Sequence, residues 1–164
     1  MENKREPFFY DSEVEWTEQR RGRLRAPRLP ALEVAAPPEF QGHEGCWTPE
    51  HLYVAAVNAC FMTIFLAIAA NSKLDVVSFS ASAKGKLEKI DGGGFQITEI
   101  VLRPTLLIPS AEQLELARRI IDKAEKSCLI ANSIKTVVKV EPEIYHKQNP
   151  AYPCPSVSSA TVAS

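Results

Sequence analysis

From Leu52 to Ala70 the chain runs for 19 residues, LYVAAVNACFMTIFLAIAA, without one charged side chain. Thr48, Pro49 and Glu50, directly before it, supply a helix N-cap, a residue pre-set for the first turn and an acid where the helix dipole favours negative charge. The run is therefore predicted to be a helix, and one that is apolar on nearly every side. Such a helix must be wrapped on all faces. A small domain of one sheet and two helices can hardly wrap it alone, so burial by a second subunit is predicted. The length is also near that of a membrane span. The many weakly apolar alanines, the mid-segment Asn58 and Thr63, and the absence of a second span or a flanking basic loop argue against one, so no membrane partner is expected.

The flanking sequence reads as strands and one amphipathic helix. Between Phe8 and Thr17, Tyr10, Ser12, Val14 and Trp16 alternate with Asp11, Glu13, Glu15 and Thr17, the period of a half-buried strand. Gly22 reads as a turn, and Arg23 to Ala26 and Leu32 to Ala36 as further strands, with Pro27 and Pro30 at their edges. Beyond Lys73 a strand alternates Val77, Phe79, Ala81 and Ala83 with polar residues. Asp91-Gly92-Gly93-Gly94 marks a hairpin, and Phe95 to Ile108 is the returning strand, with Pro104 an edge or bulge. The second helix opens on the capping box Ser110 to Gln113 and carries Leu114, Ala117, Ile120, Ile121 and Ala124 at helical spacing, leaving Arg118, Arg119 and Lys123 outward. A strand over Thr136 to Ile144 follows. Residues 146–164, rich in Pro, Ser, Ala and Thr, read as a flexible tail after a single domain over residues 1–145.

The charge balance excludes some functions. With 19 basic against 20 acidic residues, no overall field attracts nucleic acid, and the local cluster Arg20, Arg21, Arg23, Arg25 and Arg28 reads first as a solvated hairpin. MENKREPFFY lacks the apolar segment of a secretory signal, which predicts a reducing, cytoplasmic setting. There Cys46, Cys60, Cys128 and Cys154 are expected as free thiols rather than structural disulfides. No CxxC or Cys/His ligand spacing occurs, so neither metal nor cofactor is expected. His43, His51 and His146 are scattered, and Trp47 and Tyr53 read as packing residues.

Two thiols, however, are enough to reduce a peroxide: one attacks the O–O bond to give a sulfenic acid, and the second condenses with it to a disulfide. Cys60 has an apolar lining suited to an organic hydroperoxide, yet mid-helix it receives no help from the dipole. Ser127 reads as an N-cap that places Cys128 at the positive end of a short helix, so on local physics Cys128 is the more acidic thiol. An arginine brought to Cys60 reverses that ranking, and Arg20 to Arg25 supply the donors, with Glu50 able to orient one through a bidentate pair. Glu50 and Cys60 lie ten residues apart on one helix, about 15 Å by helical rise. The expectation is that Glu50 and its arginine serve Cys60 of a second subunit.

The segment TPEHLYVAAVNACF (Thr48 to Phe61), the apolar helix after it, and AEKSCLIANS (Ala124 to Ser133) resemble the OsmC/Ohr family of osmotically inducible protein C and organic hydroperoxide resistance proteins. The likeness covers roughly Tyr10 to Tyr145. It implies an α+β fold, an intertwined homodimer with antiparallel sheets around two long central helices, and a bacterial thiol-dependent peroxidase re-reduced by a dithiol such as a lipoylated protein. By motif, Cys60 matches the peroxidatic cysteine, Cys128 the resolving one, Glu50 the glutamate of the P-E-x-L motif and Arg20 the hairpin arginine. Leu129 stands where the family often has proline and Ala131 where serine is common, while Cys46 lies outside the pattern. The alternatives are a non-enzymatic dimer that binds an apolar ligand, and a redox sensor using the same disulfide without turnover.

Overall fold

The computed structural model describes residues 6–147. The chain divides after Tyr53 into two units, Met1–Tyr53 and Val54–Ser164.

In the first unit a three-stranded antiparallel sheet is built from β1 (Glu13–Glu18), β2 (Arg21–Arg25) and β3 (Leu32–Ala35) in that order. The β1–β2 turn is tight enough to force Gln19 to a φ of 44°, and Gly22 falls inside β2 rather than at the turn. The backbone of β2 explains this: a Cβ on Gly22 would come within 2.8 Å of the Glu15 carbonyl oxygen. Alternation along β2 sets Arg21, Arg23 and Arg25 on one face. Trp47 then rejoins the sheet, exchanging hydrogen bonds with Ala35 (2.9 Å) and Glu33 (3.3 Å). Helix α1 (Pro49–Asn71) begins two residues later, capped as predicted by the Thr48 hydroxyl, which accepts the His51 N–H at 3.2 Å.

The second unit holds the larger core. The 23-residue α1 continues through it and buries only Val57, Phe61, Phe65 and Ala69, one residue per turn. By length and composition alone α1 could cross a bilayer. β4 (Ser78–Lys89) and β5 (Phe95–Ile108) form a long antiparallel hairpin over the glycine turn, where Gly92, Gly93 and Gly94 all have φ near +90°. Phe65 and Phe79 stack at 4.9 Å between ring centres, with Phe61 within 6.5 Å of both. Phe61 and Phe65, both fully buried, each contribute about 1.5–3 kcal/mol through apolar area removed from water. A Cβ on Gly85 would fall 2.5 Å from the Val54 side chain, so β4 and α1 approach closely there.

Further readings change. The expected strand Thr136–Ile144 is two strands, β6 (Val137–Val140) and β7 (Glu143–His146), both parallel to β5, so this sheet is mixed rather than antiparallel. Pro104, expected at an edge or bulge, is a fully buried residue of the central strand. It can sit there because pairing on that side skips from Leu102 with Val140 to Thr105 with Glu143, and the missing N–H falls in the gap. Thirdly, Ser110 caps a 3₁₀ turn, Ala111–Gln113, and accepts from Glu112 rather than Gln113. Helix α2 (Leu114–Ser127) follows, with Ala117, Ile120, Ile121 and Ala124 buried as the spacing predicts. His146, placed with the tail by sequence, belongs to β7; residues 148–164, Cys154 among them, lie outside the described residues.

Candidate functional site

The second unit brings Cys60 and Cys128 together. They are 68 positions apart in sequence, yet their thiols lie within hydrogen-bonding reach and interact electrostatically. Cys60 is part-buried on α1, and its backbone carbonyl accepts the Thr63 hydroxyl at 2.9 Å. Cys128 is 2% exposed and closes α2, its N–H donating to the Glu125 carbonyl at 3.3 Å.

That placement overturns the reading of Cys128 as a helix N-terminal thiol. Ser127 is the last residue of α2, and the turn that follows, Ala131–Ser133, is only three residues long. Burial is the main effect and pushes the Cys128 thiol above its ordinary value, and contact with Cys60 raises it further. The backbone N–H groups of Ala131 and Ile130, both directed at the sulfur, oppose the shift without reversing it. Cys128 is thus a thiol that burial keeps protonated, which suits a resolving cysteine. A cavity of about 160 Å³ adjoins it, bounded by Phe61, Leu102, Val138 and Val140 together with Glu125.

The first unit holds the other predicted residues. Glu50 sits in the first turn of α1 with Oε2 buried and no hydrogen-bond partner among the described residues. Arg20 donates to the backbone carbonyl of Phe40. Arg23 pairs with Glu33 at 2.8 Å and Arg25 with Glu15 at 3.1 Å, exposed pairs worth little individually. Arg21 differs: Nη2 donates to the Cys46 sulfur at 3.3 Å, Nη1 lies 3.4 Å from Glu18, and Nε is buried without a partner. The Cys46 contact is the first cause of the upward shift of its guanidinium. Sequence reasoning missed this pair. No sequence signal marks it, because it arises from pairing across the sheet: Arg21 lies opposite Ala35, the residue that Trp47 bonds, and so beside Cys46.

A pair of neighbouring thiols, one of them buried and lining a cavity, is an arrangement for disulfide exchange. The family model described as OsmC-like protein matches residues 42–143. The chain belongs to the OsmC-like family. Among curated relatives, the Organic hydroperoxide resistance protein of Xanthomonas axonopodis pv. citri is 29% identical over 140 residues, covering 82% of this chain and 94% of its own. Peroxiredoxin OsmC of Escherichia coli is 28% identical over 102 residues, covering 62% and 69%. Among solved structures, an OsmC-like protein of unknown function from Vibrio cholerae superposes with a TM-score of 0.74 at 28% identity, covering 83% of this chain and 99% of its own. The OsmC-like fold, mixed α and β with helices against sheets, follows.

Proposed function

We propose that this OsmC-like chain is a thiol-dependent peroxidase that reduces organic hydroperoxides or hydrogen peroxide in a reducing, cytoplasmic setting. The observation that carries the reading is the meeting of the Cys60 and Cys128 thiols in one packed unit. The Cys60 thiolate takes the distal peroxide oxygen, becoming a sulfenic acid and releasing an alkoxide, or hydroxide from hydrogen peroxide, that is protonated to the alcohol or to water. The Cys128 thiol then condenses with the sulfenic acid, giving the disulfide and water. A dithiol, such as a lipoylated protein, restores both thiols. The names of the two relatives, a peroxiredoxin and a hydroperoxide resistance protein, agree with this chemistry.

A homodimer completes the site in this reading. Apart from its one buried stripe, α1 leaves Ala56, Ala59, Met62, Leu66, Ala67 and Ala70 exposed, a face of small and flexible apolar residues broken by Thr63, whose hydroxyl is turned back to the Cys60 carbonyl, that a second copy of the helix fits. The guanidinium for Cys60 comes from the first hairpin of the second copy, oriented by its Glu50. Arg20 matches by motif, but Arg21 carries the stronger support: its buried Nε lacks an acceptor and the buried Oε2 of Glu50 lacks a donor.

The test is direct. Reduced protein is mixed with cumene hydroperoxide or hydrogen peroxide, and thiol loss and the intramolecular disulfide are followed by mass spectrometry, with Cys60→Ser and Cys128→Ser alongside. Retention of every thiol by the wild type ends the peroxidase reading. Rapid oxidation without dithiol-driven turnover makes the protein a sensor instead.

A further inference from the structure

We propose that the cavity beside Cys128 is the port through which a short, uncharged aliphatic dithiol reaches the Cys60–Cys128 disulfide, and that the dithiol attacks the Cys128 sulfur. The inference rests on the two-cysteine reading above and assigns the reductive half of the cycle to a place in the fold.

Access comes first. Cys128 is 2% exposed, so a reagent can meet its sulfur only through a cavity, and one adjoins it. At about 160 Å³ it far exceeds the roughly 10–15 Å³ that a single water needs. Its lining is mixed: Phe61, Leu102, Val138 and Val140 offer contact to an alkyl arm, while Glu125, Asn132 and Thr136 add polar atoms. Cys60, though part-buried in the single chain, lies on α1, whose free face the second copy covers in the proposed dimer.

Leaving-group chemistry favours the same sulfur. In thiol–disulfide exchange the sulfur that departs is best the more acidic one. Burial raises the Cys128 thiol above its ordinary value, so attack on Cys60 would have to expel a sulfur that burial has made a poor leaving group. Attack on Cys128 instead breaks the bond with Cys60 departing as thiolate, and forms a mixed disulfide between the reductant and Cys128. The second thiol of the reductant then attacks the reductant's own bound sulfur, closing a cyclic disulfide and freeing Cys128. Two electrons pass from dithiol to disulfide, and the protons of the dithiol end on the freed sulfurs or on water.

Charge selects the reagent. Glu125 lines the cavity, and no hydrogen bond or ion pair engages its carboxylate among the described residues. An anionic thiol entering beside it meets uncompensated like charge. An uncharged dithiol does not.

The full-length chain, oxidised to the Cys60–Cys128 disulfide with diamide, is treated with excess 2-mercaptoethanol, quenched in acid, alkylated and peptide-mapped. The adduct is expected on Cys128 with Cys60 alkylated; the reverse pattern overturns the proposal. This measurement needs no variant and no peroxide, so a chain that ignores hydroperoxides sinks the peroxidase reading while the mapping still decides the port. Val138→Trp, which fills the cavity, is expected to slow reduction by dithiothreitol about tenfold or more, and by more than it slows oxidation by cumene hydroperoxide, since access governs exchange rates. Equal reduction rates in wild type and variant overturn the port. Glu125→Gln is expected to speed 3-mercaptopropionate relative to 2-mercaptoethanol, and an unchanged ratio overturns the charge selection.

Discussion

Two sulfur environments divide this chain. In the second unit Cys128 and Cys60 meet inside a core of Phe61, Leu102 and their neighbours, sulfur against sulfur, and no described hydrogen bond or ion pair brings a guanidinium to either. In the first unit Cys46 has the opposite arrangement, a guanidinium from Arg21 at 3.3 Å on a thin sheet and no second cysteine in residues 6–53. A disulfide cycle needs a partner sulfur, and a reactive thiolate needs a cation. Each unit supplies one of the two, and the proposed dimer is the arrangement that would give one site both.

The largest expected effect comes from deleting the attacking sulfur. Cys60→Ser should abolish peroxide consumption, while Cys128→Ser should consume about one equivalent and hold Cys60 as a dimedone-reactive sulfenic acid. Turnover by Cys60→Ser would mean that Cys46, with its guanidinium, is the working thiol, and would invert the comparison. Next in size is Phe65→Ala. Phe65 is fully buried and stacks on Phe79, so truncation should cost about 3–5 kcal/mol in urea unfolding. A loss below about 1 kcal/mol would show that the aromatic cluster does not hold the sulfur-bearing unit together.

Arg21→Ala against Arg20→Ala sharpens the comparison further. If Arg21 supplies the cation, its loss should lower the rate of Cys60 oxidation by about 10²–10³, the scale for removing one preorganised donor from a developing anion, and Arg20→Ala should act far less. The opposite order returns the role to Arg20. Cys46→Ser, measured beside them, releases Arg21 from its thiol and should not slow Cys60.

Helices, hairpin and core were legible because they follow from local periods and caps. The 52–70 apolar run, the Thr48 cap and the spacing of Ala117, Ile120, Ile121 and Ala124 all follow from chain-local chemistry. The β6–β7 split and the buried Pro104 were not, because each depends on which strand lies across a ladder, a non-local fact. Cys60, Cys128 and Glu50 were named from their motifs. The place of Cys128 was misread from Ser127, which ends α2 instead of capping a new helix, and the burial that raises Cys128 arrives from β5 and α1, a non-local fact. The Arg21–Cys46 contact depends on the return of Trp47 to β3, which no local pattern announces.

Alkaline pH separates the two environments through stability. The folded chain holds the Cys128 proton above the ordinary value of 9.0, so the folded state is favoured in the protonated form. That stabilisation is fully present below about pH 9, and is lost as pH rises through the raised folded value, because the unfolded chain ionises first. Between pH 9 and 10 the urea midpoint of the wild type should therefore fall, with a slope of at most about 1.4 kcal/mol per pH unit from this group. Cys128→Ser should flatten that component, and an identical slope in both proteins would show that the buried thiol does not couple to folding.

The smallest expected effect concerns the joint that launches α1. The Thr48 hydroxyl accepts the His51 N–H and lies 2.9 Å from its ring Nδ1. Thr48→Ala leaves that N–H without its acceptor and should cost about 1 kcal/mol, whereas Thr48→Ser keeps the oxygen and should cost only a few tenths. Cys46 lies two residues upstream, on a segment already fixed by the Trp47 hydrogen bonds to Ala35 and Glu33. The rate of Cys46 alkylation should therefore be the same in both variants. If Thr48→Ala accelerates it, the cap and the Arg21–Cys46 contact are one cooperative element, and the first thiol environment extends into the helix that carries the second.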